Sequence, residues 1–280
     1  MSIVVNTNIA SMNAQRSLMA SSNTLQEAME RLSTGKKINS AADDAAGFAI
    51  AESMTAQVRG LSMAAKNASD GLGLLKVIEN ATNDVTDILQ RVRELAVQAQ
   101  SGTNGTTDKG FLQKEANALF AEIDRISEDT TYNNTAYLGT AAGNVAIQVG
   151  YNDGDTITIT TQNVTSAQLG SAGTKLSDGA ATPAYLDISS GTALSVISAA
   201  IDQVAGYKAD WGAQQNRLEY TVSNLMNVVE FTSAARSRIQ DADFALEAAK
   251  LSKAQVLQQS GAAMLAQANA APQLALQLLK

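Results

Sequence analysis

Asp43 and Asp44 stand side by side in SAADDAAG, and neighbouring carboxylates can hold a hard metal ion or move protons. The glycines of DGLGLL, residues 70–75, could cradle a phosphate in another setting. Neither pattern carries that chemistry here. No clear ligand spacing surrounds the Asp pair, and its charge suits the positive end of a helix dipole. Gly71 and Gly73 lie inside a helical repeat instead of between a strand and a helix, so they form no dinucleotide loop. The chain has no cysteine and no histidine. That excludes a thiolate nucleophile, a disulfide, an imidazole base and a Cys/His zinc site. With no cleft pairing two carboxylates in view, the expectation is a protein that is not an enzyme and carries no cofactor.

The elements around these residues point to a different task. Of the 280 residues, 45% are hydrophobic but only 4% are aromatic, and small aliphatics at that density suit long helices packed side by side. The net charge is −7, and the 20 basic residues are scattered, so no nucleic-acid surface is expected. The opening MSIVVNTNIASMNAQ lacks the basic region and apolar core of a secretory leader.

Leu18, Leu25 and Leu32 recur every seven residues, with Ala14 and Ala28 ahead of them, and predict a helix from about Thr7 to Leu32. Gly35 is its expected stop, and Ser40 or Asp43 is the expected cap of the next helix. That helix carries two runs of three/four spacing. The first is Ile50, Met54, Val58, Leu61, Ala65, Ala68, Leu72 and Leu75; the second is Ile78, Ala81, Val85, Ile88, Val92, Leu95 and Ala99. The seam shifts between Leu75 and Ile78, like a stammer, and Gly71 and Gly73 are expected to loosen the helix just before it. From Ala42 to Ala99 such a helix is about 87 Å long. SGTNGTTDKG reads as a loop. A further helix is expected from Asp108 or Phe111 to Asp129, burying Leu112, Leu119, Ile123 and Ile126.

The period then changes to two. Val145, Ile147 and Val149 on one side of YNDGD, and Ile157 and Ile159 on the other, predict a β-hairpin with an Asp-Gly turn. Residues 161–192 are rich in Ser, Thr, Gly and Ala and read as surface loops, with one more strand at Tyr185–Ile188. Helix resumes near Thr192, carrying Leu194, Ile197, Ile201, Val204, Tyr207, Trp211, Leu218, Val222, Leu225 and Val229 at three/four spacing, with Gln214 filling the gap. A joint in SRIQDADFALE leads to the last helix. The fold class is therefore mainly α: a long antiparallel helical coiled-coil or bundle rod with a small β-hairpin region in the middle of the chain.

The stretch from Ala254 to Leu279 carries no charge. It does not read as a membrane span, because six glutamines, at 255, 258, 259, 267, 273 and 277, and Pro272 interrupt it. It reads as an amphipathic helix whose apolar edge includes Val256, Leu257, Met264, Leu265, Leu274, Leu278 and Leu279. The equally uncharged first 15 residues are its expected partner. A two-helix pair leaves much of each helix wet, so the remaining apolar area calls for other copies of the chain, and the ends are expected to order on assembly. Copies added by contacts that do not close make a filament.

VNTNIASMNAQRSL at 5–18 and LSTGKKINSAADDAAGFAIAE at 32–52 strongly resemble bacterial flagellin. So do LQRVRELAVQAQSGTN at 89–104, EIDRIS at 122–127, GAQQNRLEYTVSNL at 212–225 and SRIQDADFALE at 237–247. The resemblance covers about residues 1–140 and 190–280. It implies a structural subunit of the flagellar filament, used for swimming, and a short form with a minimal middle. Residues 1–40 and 239–280 would be inner-tube helices, with Leu18, Leu25, Leu32, Val256, Leu257, Met264, Leu265, Leu274, Leu278 and Leu279 as assembly residues. Residues 41–140 and 191–238 would form the two halves of the outer-tube helical domain, packed through Ile78, Val85, Ile88, Val92, Leu95, Ile197, Ile201, Leu218 and Leu225. Residues 141–190 would be a surface-facing hairpin and loops, whose Ser and Thr residues carry O-linked sugars in some members or simply serve strand propensity and solubility.

The resemblance further implies passage through the type III export apparatus without a cleaved signal peptide. It implies an export chaperone on the C-terminal region, a filament cap and hook-associated proteins as partners, and an extracellular location on the flagellum. Neither nucleic acid nor membrane insertion is implied. Supercoil switching would use the Leu75–Ile78 shift or the joints at Thr34–Ser40 and Arg238–Asp243. Contact with the animal Toll-like receptor 5 would fall on Arg91, Leu95 and Glu115, although Leu95 also sits in the helix seam and Arg91 has Asp87 or Glu94 as a solvated partner. The alternative is a hook–filament junction protein with the same terminal helices.

Overall fold

The computed structural model describes residues 7–171, 173–180 and 183–277. Leu278 and Leu279, and the side chain of Leu274, lie outside the described part. In chain order the elements are α1 (Ile9–Thr34), α2 (Ala45–Ala99), α3 (Thr106–Asp129), β1 (Asn144–Gln148), β2 (Thr156–Thr160), β3 (Gly170–Ser171), β4 (Thr174–Lys175), α4 (Ala193–Gln240) and α5 (Phe244–Gln277). They divide into two compact units, Met1–Val58 with Glu230–Lys280, and Arg59–Val229.

In the first unit α1 and α5 pack antiparallel. The Asn8 side chain caps α1 by accepting from the Ser11 N–H at 3.0 Å. Gly35 ends the helix at φ 70°, the left-handed conformation that glycine adopts without steric cost. The chain then pairs with the α4–α5 joint through a short antiparallel bridge between Lys36 and Asp241. Lys37 N–H donates to the Gln240 carbonyl at 2.7 Å, and Ala242 N–H donates to the Gly35 carbonyl at 2.9 Å. The two joints expected at 34–40 and 238–243 are therefore tied to each other.

The cap of α2 differs from the expectation. Asp44 Oδ1 accepts from the N–H groups of Ala46 and Gly47, at 3.1 and 3.0 Å, so Asp44 is the cap and the helix starts at Ala45, not Ala42. Asp43 instead gathers Asn39 N–H, Ser40 N–H and the Ser40 hydroxyl, which fixes the loop before the helix. Those donors, the Ser40 and Asn39 amides first, hold its carboxyl below the ordinary value. Asp243 Oδ1 plays the capping part for α5, accepting from Ala245 and Leu246.

The second unit has one main core. The remainder of α2 supplies Leu75, Ile78, Val85, Leu89, Val92 and Leu95; α3 supplies Ala116, Phe120 and Ile123; and α4 supplies Ile197, Ala200, Val204, Trp211 and Leu218. The buried stripe of α2 is wider than the seam predicted by three/four spacing, since Leu74, Leu89 and Ala96 are buried as well. The reason is that α2 has partners on more than one side: Arg91 pairs with Glu115 of α3, while Glu79 and Asn83 accept from Gln215 and Lys208 of α4.

The hairpin forms as expected, with Val145 opposite Ile159, Ile147 opposite Ile157, and Gly154 at φ 86° in the turn. The reading of 161–192 as surface loops is overturned. Val164, Leu169, Leu176 and Ile188 are fully buried in the main core, and the Tyr185 ring stacks on Phe120 at 5.6 Å. The strand expected at Tyr185–Ile188 is reduced to a single bridge between Ser177 and Tyr185. Irregular backbone can be buried there because its polar groups find partners. Leu186 N–H donates to Leu176 O at 2.9 Å. The Gln113 side chain donates to Leu186 O and accepts from Ile188 N–H, both at 2.9 Å.

Candidate assembly surfaces

The α1–α5 pair is built from a seam of small residues. On α1, Ser11 and Ala28 are buried and Ala14, Leu18, Leu25 and Leu32 are half-buried. On α5, Glu247 and Ala254 are buried and Leu251, Gly261, Leu265 and Ala268 are half-buried. Gly261 faces Leu18, whose Cδ1 would lie in ordinary contact, at 3.4 Å, with a Cβ built there. Asn8 Nδ2 donates to the Ala268 carbonyl at 2.8 Å. Near the other end, Glu247 Oε1 accepts from Lys250 at 2.7 Å and from Arg31 at 3.5 Å, and Arg31 also pairs with Glu27. The Lys250 hydrogen bond, and then Arg31, hold the Glu247 carboxyl below its ordinary value against the opposing effect of burial.

This geometry sorts the expected assembly residues into two groups. Leu18, Leu25, Leu32 and Leu265 lie along the seam within one chain. Val256, Leu257 and Met264 do not: Val256 is 64% exposed and Met264 65%. The seam of α5 runs instead through positions 247, 254, 261 and 268, which are mostly too small or too polar to stand out as apolar in the sequence. Ile9, Met12, Met19 and Met29 on α1 are also exposed. The pair thus satisfies one face of each helix and leaves further apolar side chains of each in solvent, on α1 interspersed with Gln15, Gln26 and Glu30.

In the second unit Ile78, Val85, Val92, Leu95, Ile197 and Leu218 are buried, while Ile88 and Ile201 are half-buried. Leu225 lies in a smaller cluster with Leu61, Ala64 and Ala65. The expected loosening at Gly71 and Gly73 is corrected, because α2 is continuous through both. Gly71 is where the hairpin docks. A Cβ there would lie 3.3 Å from both Ile147 and Ile159, and one on Gly60 would lie 2.8 Å from the Tyr151 Cβ. Between them Asn67 Nδ2 donates to the Gln148 carbonyl at 3.3 Å. Positions 60, 67 and 71 share one face of α2, a docking strip whose sequence signal is small side chains at helical spacing.

Arg91 lies exposed on α2. It donates to Glu94 at 2.9 Å and through Nε and Nη2 to Glu115 of α3 at 3.1 and 2.9 Å. Glu94, and then Glu115, raise the guanidinium above its ordinary value. Leu95 is different: only 1% of it is exposed, so as a surface contact for a receptor it is corrected to a core residue. Arg91 and Glu115 remain at the surface, already paired with each other. Among the described residues, no helix is long and apolar enough to cross a membrane.

The chain is mainly helical, its distant terminal helices pair with one another, and both keep large apolar side chains in solvent. Residues 5–141 match the bacterial flagellin N-terminal helical region, and residues 194–279 match the bacterial flagellin C-terminal helical region. The chain is 41% identical over 278 residues to a flagellin of Halalkalibacterium halodurans, covering 99% of this chain and 100% of that one. It is 41% identical over 306 residues to a flagellin of Bacillus subtilis, covering 99% of each. To the flagellar filament 33 kDa core protein of Treponema phagedenis it is 38% identical over 293 residues, covering 99% and 100%. The chain belongs to the bacterial flagellin family.

Proposed function

We propose that this chain polymerises with copies of itself into the bacterial flagellar filament, as its structural subunit. The observation that carries the reading is the set of large apolar side chains left exposed on both terminal helices. α1 and α5 already satisfy each other along one seam, yet Met19, Val256 and Met264 remain exposed, and further copies would cover them. Residues 1–40 and 239–280 then serve as the inner layer of the filament, 41–140 and 191–238 as the outer helical layer, and 141–190 as the short middle. The relatives are flagellins and a filament core protein along their whole length, which favours this reading over a hook–filament junction protein.

The same reading places the protein outside the cell, delivered unfolded through the type III export apparatus without cleavage of a leader. An export chaperone would hold the C-terminal region, and the cap and hook-associated proteins would meet the filament ends. For Toll-like receptor 5, Arg91 of α2 and Glu115 of α3 are the groups on offer at the surface, with Leu95 supporting α2 from beneath.

The test is electron microscopy of the purified chain in polymerising salt, beside a version ending at Lys253. Filaments from the full chain alone support the reading and make the uncharged tail an assembly element. Filaments from both would relieve the tail of that role. Filaments from neither would return weight to the junction protein.

A further inference from the structure

The pairing of α1 with α5 has a degeneracy built into it. On α1, positions 11, 18, 25 and 32 recur every seven residues, and the last three are all leucine. On α5, positions 247, 254, 261 and 268 recur at the same interval, and the last three are Ala, Gly and Ala. Sliding one helix past the other by seven residues would lay leucine where leucine stood, against small residues as before. Along this stripe apolar packing discriminates weakly, and only Leu251 and Leu265, half-buried beside it with the exposed Gln258 midway, oppose the slide. The Asn8 bond to Ala268 discriminates little either, because its acceptor is a backbone carbonyl and every residue has one.

Besides the backbone bridge between Lys36 and Asp241 at the joint, one side-chain contact within the seam does discriminate. Glu247 is the one charged residue among the buried residues described, and its side chain is 5% exposed. Its partner across the seam is Arg31. The residues seven away from Arg31 are Thr24 and Ile38, and Ile38 lies beyond the end of α1. Either slide would leave the buried carboxylate with Lys250 of its own helix alone and take away its second cation, the one supplied by α1.

We propose that the Arg31–Glu247 pair is the register lock of the terminal helices, excluding alignments of α1 and α5 displaced by one heptad. It is a specificity device in the manner of a single polar residue in a coiled-coil seam. It acts within one chain and holds whether or not the chain polymerises. Glu27 beside Arg31, and Lys250 one turn along from Glu247, complete the charged set around it.

The absence of cysteine makes the register directly readable. Ser21 and Leu257 line one groove between the helices, so Ser21→Cys with Leu257→Cys reports the observed alignment. Ala28→Cys with Leu257→Cys, and Ala14→Cys with Leu257→Cys, report the two slides. Each pair is placed in the full-length chain, oxidised mildly, and scored by peptide mass. With Arg31 and Glu247 intact, only the Ser21/Leu257 pair should close. With Glu247→Ala, one or both slipped pairs should close at a yield comparable with the native pair. The reversed pair, Arg31→Glu with Glu247→Arg, made together with Glu27→Arg and Lys250→Glu so that the flanking charges reverse too, should restore closure at Ser21/Leu257 alone.

Native closure alone in Glu247→Ala would overturn the proposal and assign the register to the Lys36–Asp241 backbone bridge. If Glu247→Ala instead loses helix by circular dichroism and closes no pair, the reversed pair decides. Recovery of helix and native closure supports the lock, and failure to recover overturns it.

Discussion

The indole Nε1 of Trp211 donates to the carbonyl oxygen of Thr160 at 2.9 Å, tying the middle of α4 to the last residue of β2. Trp211 is 1% exposed and is the only tryptophan in the chain. Its emission therefore reports on the core of the second unit and is blind to the α1–α5 pair. Variants that free the terminal helices should lower helix content by circular dichroism while leaving the emission maximum unmoved. A red shift that parallels the loss of helix would show that the two units melt as one.

Acid should act on the terminal pair through Glu247. Its carboxyl is held below the ordinary value near 4.5, chiefly by Lys250 and next by Arg31, with Glu27 competing for Arg31. A carboxylate depressed by folding contributes stability above its unfolded pKa, and that contribution disappears as pH falls through the folded value. The pair should therefore weaken below about pH 4.5, the unfolded reference. Other depressed carboxylates, among them Glu122 and Asp187, lose stability in the same direction, so the comparison is with Glu247→Gln. Its terminal helices should be less stable at neutral pH and show a flatter acid response in circular dichroism.

Glycine-to-alanine changes should split by position. Gly206 and Gly212 lie in α4 with nothing within 4 Å of a built Cβ, so alanine there should raise stability by about 1 kcal/mol through helix propensity. Gly71 and Gly60 lie under the hairpin. There the same gain is opposed by crowding against Ile147, Ile159 and Tyr151, which typically costs about 1–3 kcal/mol. Gly60→Ala, with the closer contact, should be the more destabilising of the two. Denaturant titration of each single variant checks the order.

Gln214 occupies a place in the α4 stripe between Trp211 and Leu218, and its side-chain oxygen is buried with no hydrogen-bond partner. Leaving such an acceptor unsatisfied costs about 1–3 kcal/mol. Gln214→Met keeps the volume and removes the acceptor, so the melting temperature should rise.

Asp124 of α3, half-buried, should prove one of the more sensitive polar helix positions. Its two carboxylate oxygens accept from the Ser166 N–H and hydroxyl, both at 2.7 Å, and Ser166 is itself buried. Asp124→Ala should destabilise the second unit by roughly 1.5–3 kcal/mol, the range for hydrogen bonds to a charged group. Hydrogen exchange should show the loss centred on 164–177.

The helices were legible in the sequence because their signal repeats. Leu18, Leu25 and Leu32 or Val85, Ile88, Val92 and Leu95 announce a face several times over, and the alternation around YNDGD does the same for the hairpin. Val164, Leu169, Leu176 and Ile188 were not legible. Val164, Leu169 and Leu176 are lone apolar residues among polar and small neighbours, Ile188 had only the short Tyr185–Ile188 pattern to announce it, and the burial of all four depends on distant acceptors and donors such as Gln113 and Asp124. The seam of α5 was hidden for another reason. Close helix packing selects Ala254, Gly261 and Ala268, which look weakly apolar, and leaves the conspicuous Val256 and Met264 outside. The Asp43/Asp44 division of labour depends on which residue is followed by helical backbone, a distinction of one position that spacing does not resolve.

Asn8 and Ala268, joined by a hydrogen bond across 260 residues of sequence, also set an order in time. Within this sequence α1 is made well before its partner α5, and a contact of that separation carries a large closure entropy. A chain that has not yet reached α5 lacks the finished terminal pair.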